Sequence, residues 1–520
     1  MAWNAWGEPG QPFSLPSTVL DFLHQVLGPP DKTVKSVRES QVSLRPGDLP
    51  PWAADRLKDI VGVRHFRTDY RTRLRHTGGK SLLDLLRRCS GEVSLAPDAV
   101  VLPGDHNQVQ QVLQVCGNAG VAVVPFGGGT SLVGGVEPLR GPFRAAVALD
   151  LGRLRRLVSL DATSMTVRLE AGLRTSEAET LLNARGLTLG NLPQSHAFST
   201  IGGYTATRSS GVHGEFADMV QAMTVATPQG TLRVGRAPAS AAGPDLRQLM
   251  LGSEGTLGVI TEVTCRVHRL PESTHQEAWL FANWGGGLDA VRLLAQAGVR
   301  VRKLRLSDEA ETFVNASIGN SGQAPAGCLA VVDYAGSAEH VALARETTQR
   351  IFGKLVGTEP VSSTVAQEWS RCYEDDPYLR DALLPAGYLA ETLETAASWS
   401  DLPALYKAVG DRLRSSLARG SRPPIVLCHV SHVYATGASL CFTVVIAAEN
   451  DPISQWERAK EAAGDTIAAH GGTITHHHAV GADHVPWMQQ EVGEVGLEIL
   501  RAAKRAVDPT GVLNPGKLIP

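Results

Sequence analysis

The sequence predicts an α+β fold in more than one domain, and three observations carry that reading. The chain has 520 residues, enough for two to four domains at roughly 150 residues each and for a large core. From near Val93 onward, short apolar runs alternate with amphipathic helical segments and glycine loops. At Pro271 the pattern changes: glycine loops become sparser, and longer helical and strand segments alternate to about residue 470. Four regions follow: an N-terminal helical region (1–90), a glycine-loop region (91–271), a second α+β region (272–470) and a C-terminal segment (471–520).

The elements are justified in order. Residues 1–90 read as helical and charged, broken at Pro29-Pro30 and between Pro46 and Pro51. Val109, Val112, Leu113 and Cys116 keep the i, i+3, i+4, i+7 spacing of a buried helix face, and Gly117 and Gly120 can end it. Val121–Val124 reads as a buried strand, with further strands at 145–149, 166–170, 220–226 and 259–267. Residues 176–185 read as a helix stopped by Gly186. A strand is expected over 473–480, after Gly471-Gly472, and turn chemistry closes the chain at Asp508-Pro509-Thr510-Gly511 and Asn514-Pro515-Gly516.

Composition excludes several classes. Lys plus Arg number 49 and Asp plus Glu 52, a net charge of −3, which gives no electrostatic footprint for nucleic acid. The cysteines are seven, an odd number, with no Cys-x-x-Cys pair; this reads as free thiols in a reducing compartment. The longest apolar runs, such as 442–448, fall far short of a membrane span, and no basic-then-apolar leader opens the sequence. The chain ends Leu518-Ile519-Pro520 rather than in a peroxisomal signal. A cytoplasmic protein is expected.

Three segments between residues 125 and 261 are rich in Gly, Ser and Thr. The first is Pro125-Phe126-Gly127-Gly128-Gly129-Thr130-Ser131, directly after a strand. The second runs Gln194-Ser195-His196-Ala197-Phe198-Ser199-Thr200-Ile201-Gly202-Gly203, followed by Thr207-Arg208-Ser209-Ser210-Gly211. The third is Gly252-Ser253-Glu254-Gly255-Thr256-Leu257-Gly258-Val259-Ile260. Bare amides and small hydroxyls can converge on an anion. A Rossmann fingerprint fails, because Leu132 stands at its third glycine, even though Asp150 sits at a ribose-acid distance. A Walker A loop fails, because Gly135-Val136 follow Gly134. A long ligand with a pyrophosphate and a fused ring needs several separate backbone contacts, and FAD fits that need.

These segments, with Leu132-Val133-Gly134-Gly135, resemble the two-subdomain FAD-binding fold of the vanillyl-alcohol oxidase type. The resemblance implies that 91–271 is an FAD-binding domain, that 272–470 is an α+β cap domain for the substrate, and that 471–520 returns to the flavin. Some members tether the flavin through a His in the first loop; Thr130 stands there, so non-covalent FAD is implied.

A narrower resemblance, to the alkylglycerone-phosphate synthase family, covers nearly the whole chain. It rests on Trp3-Asn4-Ala5-Trp6-Gly7, Arg73-Leu74-Arg75-His76, Leu304-Arg305-Leu306-Ser307-Asp308 and Tyr378-Leu379-Arg380-Asp381. It also rests on Glu391-Thr392-Leu393-Glu394-Thr395 with Trp399, the segment Cys428–Ala438 around Tyr434, and His476-His477-His478. That family exchanges the acyl group of acyl-dihydroxyacetone phosphate for a long-chain alcohol, with the substrate held on flavin N5 and no net oxidation. The resemblance implies Tyr434 and the His triplet as acid/base groups, Arg305 near the flavin and Arg380 on the substrate phosphate. The residue types suit these tasks: imidazole titrates near neutral pH, and guanidinium matches an oxyanion bidentately.

Plain packing would otherwise explain a strand tyrosine, and a surface ion pair each arginine. As a strand, the triplet would set His476 and His478 on one face and His477 on the other. Tyr434 is read as sitting on a probable strand, 425–433, sharing a face with Cys428 and Val430 and with His432 opposite. The sequence departs from the animal pattern. Gly481–Pro486 carries no Lys or Arg before Trp487, Ala479 stands where Gly is usual, and His429 and His432 replace Arg and Gln. The family further implies a homodimer and peripheral contact with lipid.

Three other readings compete. An FAD-linked oxidase or dehydrogenase of a 2-hydroxy acid, similar to D-lactate dehydrogenase, would use the same fold and residues. A metal site is disfavoured, since the three-residue offset of His429 and His432 points them to opposite strand faces, so no metal is expected. A flavin-binding module without catalysis would not need the His triplet or Tyr434.

Overall fold

The computed structural model describes residues 1–8, 15–93, 95–190, 192–211, 214–318 and 326–520. Its chain falls into two compact units. One comprises 1–5, 37–270 and 477–520, the other 6–36 and 271–476. The first ninety residues are shared between the units rather than forming a region of their own.

The first unit contains two sheets. One has the strand order Phe66–Arg67, Ala99–Val101, Ala145–Asp150, Val121–Phe126, of which the last three run parallel. The crossover helix His106–Ala119 begins at Asp105, whose side chain accepts the Gln108 N–H, and ends at left-handed Gly120. It buries the expected Val109, Val112, Leu113 and Cys116. The tail extends this sheet: the Val123 N–H donates to Val512 O at 2.8 Å, and the Asn514 N–H donates to Val123 O at 2.8 Å. The second sheet is antiparallel, ordered Gly230–Val234, Val220–Thr227, Val259–Arg266, Thr166–Glu170, Leu157–Asp161. One continuous apolar core joins both sheets.

The second unit is built on a seven-stranded antiparallel sheet. Its order is Thr358–Val361, Ser273–Phe281, Cys328–Gly336, Lys303–Ser307, Ile425–Val433, Gly437–Ala447, Tyr388–Ser398. Helix Ser17–Leu27 packs Val19, Leu23 and Leu27 against Leu383, Tyr388 and Ala447. Among the described residues no helix is long and apolar enough to cross a membrane, and six cysteines are buried and free.

One expected element is absent. Residues 473–480 are irregular backbone with bends at 474 and 476–478 rather than a strand. Ala479 has φ +74°, which strand geometry forbids, and the Val480 and Gly481 N–H groups are taken by a side chain, Glu254. The same φ shows why glycine suits position 479.

Candidate functional site

In the first unit the three glycine segments meet one another. A Cβ on Gly127 would lie 2.4 Å from Thr200 Oγ1, and one on Gly128 would lie 2.0 Å from the Phe198 carbonyl oxygen. A Cβ on Gly255 would lie 2.7 Å from Pro125 Cγ. The first loop therefore packs on the second segment at Phe198–Thr200 and on the third at Gly255, at a closeness that only glycine permits. Gly129 adds a left-handed backbone, φ +67°. Thr200 caps helix Ile201–Thr207 through the Gly203 N–H.

Glu254 ties the C-terminal segment to this cluster. Its carboxylate accepts the Val480 and Gly481 N–H groups at 2.8 and 2.7 Å. Its burial pushes the carboxyl up to about 7, against the pull of those two amides. The Asn514 amide donates to Glu254 O at 2.7 Å and to Gly135 O at 3.2 Å. Lys504 Nζ bonds Thr256 O, Leu513 O and Asp508 Oδ2, each at 2.7 Å. His477 and His478 also belong to this unit, their rings 4.8 Å apart. Asp150 is occupied locally, by the His76 ring at 3.1 Å and the Gly152 N–H at 2.7 Å.

These residues fit FAD. The glycines bring the three segments together, and the buried oxygens Ser210 Oγ, Ser253 Oγ and Asn514 Oδ1 have no partner among the described residues. Buried polar atoms seldom stay unpaired, and all three lie on or beside the glycine segments. Arg208, by contrast, is turned to protein: its guanidinium bonds Leu251 O, Gln248 O and Gln248 Oε1.

In the second unit two side-chain clusters stand out. Tyr434 Oη lies 2.7 Å from His476 Nε2, and the His432 ring lies 4.9 Å from that of His476. The Trp399 indole N–H donates to Tyr434 O, and the Tyr434 N–H donates to Gly437 O, which together fix the tyrosine backbone. His432 is not opposite Tyr434. Positions 430, 432 and 434 share a parity, a register shift falls between Val430 and Val433, and both rings reach His476.

The other cluster surrounds Arg305. Its Nη2 bonds Glu311 Oε1 at 2.7 Å, and His429 Nδ1 lies 3.0 Å from the same oxygen. The Trp369 ring carries the guanidinium at 4.6 Å and Lys303 Nζ at 4.9 Å, a cation–π arrangement. Glu311 is fully buried, yet Arg305 and His429 hold its carboxyl well below the usual range. Burial and the Arg305 charge lower His429. Beside them, Asp308 is pushed up to about 7 by burial, although it accepts the Glu311 N–H. Arg380 is buried between Asp381 Oδ1 at 3.3 Å and Glu391 Oε2 at 3.4 Å. Asp381 also receives the Trp6 N–H, so the Trp-Asn-x-Trp-Gly motif is tied to the arginine's partner.

Sequence reasoning missed Glu311, Trp369 and Asn514. A lone carboxylate in an acidic helix, one of nine tryptophans and a turn asparagine carry little local signal; apart from Arg305, six residues from Glu311, their partners lie 64 or more residues away in the chain.

Residues 97–235 match the FAD binding domain family, and 270–518 match the C-terminal domain of the FAD linked oxidases. FAD is therefore the cofactor, in a two-subdomain FAD-binding fold with an α+β cap. The chain is 31% identical to an alkyldihydroxyacetonephosphate synthase of Dictyostelium discoideum over 99% of its own length and 85% of that protein's. It is 30% identical to one of Trypanosoma brucei brucei, covering 100% and 92%. A solved alkyldihydroxyacetonephosphate synthase structure aligns with a TM-score of 0.86 and 27% identity, covering 100% of this chain and 99% of that one. By this full-length similarity, the chain belongs to the alkyldihydroxyacetonephosphate synthase family of FAD-dependent enzymes.

Proposed function

We propose that this chain exchanges the acyl group of acyl-dihydroxyacetone phosphate for a long-chain alcohol, releasing a fatty acid and forming the ether bond. The observation that carries the reading is the 2.7 Å contact between Tyr434 Oη and His476 Nε2. The exchange needs a base for a C–H proton next to a carbonyl and an acid for the departing carboxylate. A phenol hydrogen-bonded to an imidazole can pass a proton between Tyr434 Oη and His476 Nε2. His477 and His478 are the further acid/base candidates. When bound, FAD supplies the reactive ring, with no net change in its oxidation state.

Arg380 is the phosphate ligand in this reading, presented by Asp381 and Glu391. Arg305, fixed by Glu311 and Trp369, supplies a second cation. The cofactor contacts are those of the three glycine segments, and Thr130 in the place of a tethering His supports non-covalent FAD. A cytoplasmic homodimer that touches lipid only at its surface completes the proposal.

The test is an anaerobic incubation of the purified flavoprotein with acyl-dihydroxyacetone phosphate and a labelled long-chain alcohol. Labelled ether without an electron acceptor is the expected result. No ether, with flavin that bleaches on a 2-hydroxy acid and recovers with an acceptor, would overturn it in favour of the oxidase reading.

A further inference from the structure

We propose that Glu254 is a positioning residue, whose carboxylate clamps the backbone at Val480 and Gly481 and so fixes the direction in which the chain presents His477 and His478. This rests on the acid/base reading of those two histidines, and it gives the Glu254 side chain a task apart from the cofactor contacts of its segment. Backbone strain marks the place. Among the described residues six non-glycines have positive φ, and four of them are Glu254 (51°), Ala479 (74°), Asn514 (40°) and Leu518 (59°). All four belong to one hydrogen-bonded knot. The Glu254 carboxylate accepts the Val480 and Gly481 N–H groups on separate oxygens. The Asn514 amide donates to Glu254 O, and the Leu518 N–H donates to Gly481 O at 3.2 Å. His484 Nδ1 donates to Ala479 O at 2.9 Å, and the His484 N–H to Val480 O at 3.0 Å. Left-handed non-glycine residues persist where the surroundings over-determine them, and they gather at functional sites. Ala479 directly follows His478, so the strained turn sets the path by which the chain leaves the histidines.

The clamp calls for a carboxylate. Two converging N–H donors need two acceptors on one fork. An ionised carboxylate accepts at both ends, whereas a carboxamide accepts at one and donates at the other. The group is buried, and a buried charge is costly unless its partners hold it. Here those partners are the two amides; Lys517 acts on it through space and bonds Glu137 O at 3.1 Å. The other end of the clamp is equally fixed. The Glu254 N–H donates to Ala206 O at 2.9 Å, on the helix Ile201–Thr207 that follows the second glycine segment. One side chain therefore refers the histidine turn to the same backbone that forms the glycine cluster.

The test is Glu254→Gln in the FAD-loaded full-length protein, alone and combined with His477→Ala and His478→Ala. Three measurements are made: flavin per chain, amide hydrogen exchange of peptides covering 477–484, and ether formation. Glu254→Gln is expected to keep its flavin, to exchange faster at 477–484, and to lose roughly tenfold to a hundredfold in kcat at unchanged KM for acyl-dihydroxyacetone phosphate. In the double-alanine background the same substitution is expected to cost less than about twofold, because a group that acts through the histidines has nothing left to position. A purely structural role would cost as much in either background. Equal costs in the two backgrounds, unchanged exchange at 477–484, or loss of flavin from Glu254→Gln would each overturn the proposal, the last by making the carboxylate part of the cofactor site. Wild-type protein that forms no ether would refute the exchange reading instead. The exchange and flavin measurements then decide the clamp alone: faster exchange with flavin retained upholds it, and unchanged exchange overturns it.

Discussion

In the first unit the groups that converge are backbone, with Gly127, Gly128 and Gly255 packed so closely on Thr200, Phe198 and Pro125 that a Cβ has no room. In the second unit they are side chains: Tyr434 on His476, and Arg305 and His429 on one Glu311 carboxylate oxygen. The difference bears on what each region tolerates. A backbone cradle is defined by what is missing from the residue, so it fails when atoms are added. A side-chain cluster is defined by charge and proton positions, so it fails when groups are removed or neutralised.

The largest expected effect breaks the cradle. Gly128→Ala places a Cβ 2.0 Å from a backbone oxygen that cannot turn aside, and FAD is expected to be lost from the purified protein, read as flavin absorbance per chain after gel filtration. Glu311→Ala leaves Arg305 buried without its carboxylate. Breaking a buried pair in this way costs about 3–5 kcal/mol, measurable by urea denaturation.

Asp308 gives a pH-dependent version of the same test. Its folded pKa, about 7, is raised above the ordinary carboxyl value, so the protonated form is the one the fold favours. That contribution is complete below about pH 4 and is lost as pH rises to about 7, by up to roughly 4 kcal/mol at 1.36 kcal/mol per unit. Asp308→Asn stays neutral. It is expected to gain on wild type in denaturation midpoint between pH 5 and pH 8; a difference independent of pH would contradict the assignment.

The smallest effect sharpens the contrast between glycines. Gly285, exposed in the first turn of helix Trp284–Gln296, would place a Cβ no nearer than 3.5 Å to Asn283 Oδ1. Gly285→Ala is expected to raise stability by up to about 1 kcal/mol and to leave flavin content unchanged.

The same difference explains what could be read from the sequence. The glycine segments are local runs whose purpose is visible in their composition, and so were the helix at Val109–Cys116 and the strand that precedes the first loop. Tyr434 and the His triplet were legible only through resemblance. The strand expected at 473–480 failed because Glu254, more than 200 residues earlier in the chain, takes the Val480 and Gly481 amides. Glu311 was invisible because an acidic residue in a helix is ordinary until the partners that bury it, Arg305 and His429, are placed beside it.

The most direct test of this division of roles is Tyr434→Phe, assayed for bound flavin and for transfer of labelled alcohol in one preparation. Loss of a positioned acid/base group removes roughly 10²–10⁴ of the rate, so full flavin content with at least a hundredfold loss of ether formation is predicted. Full flavin content with unchanged ether formation would contradict it.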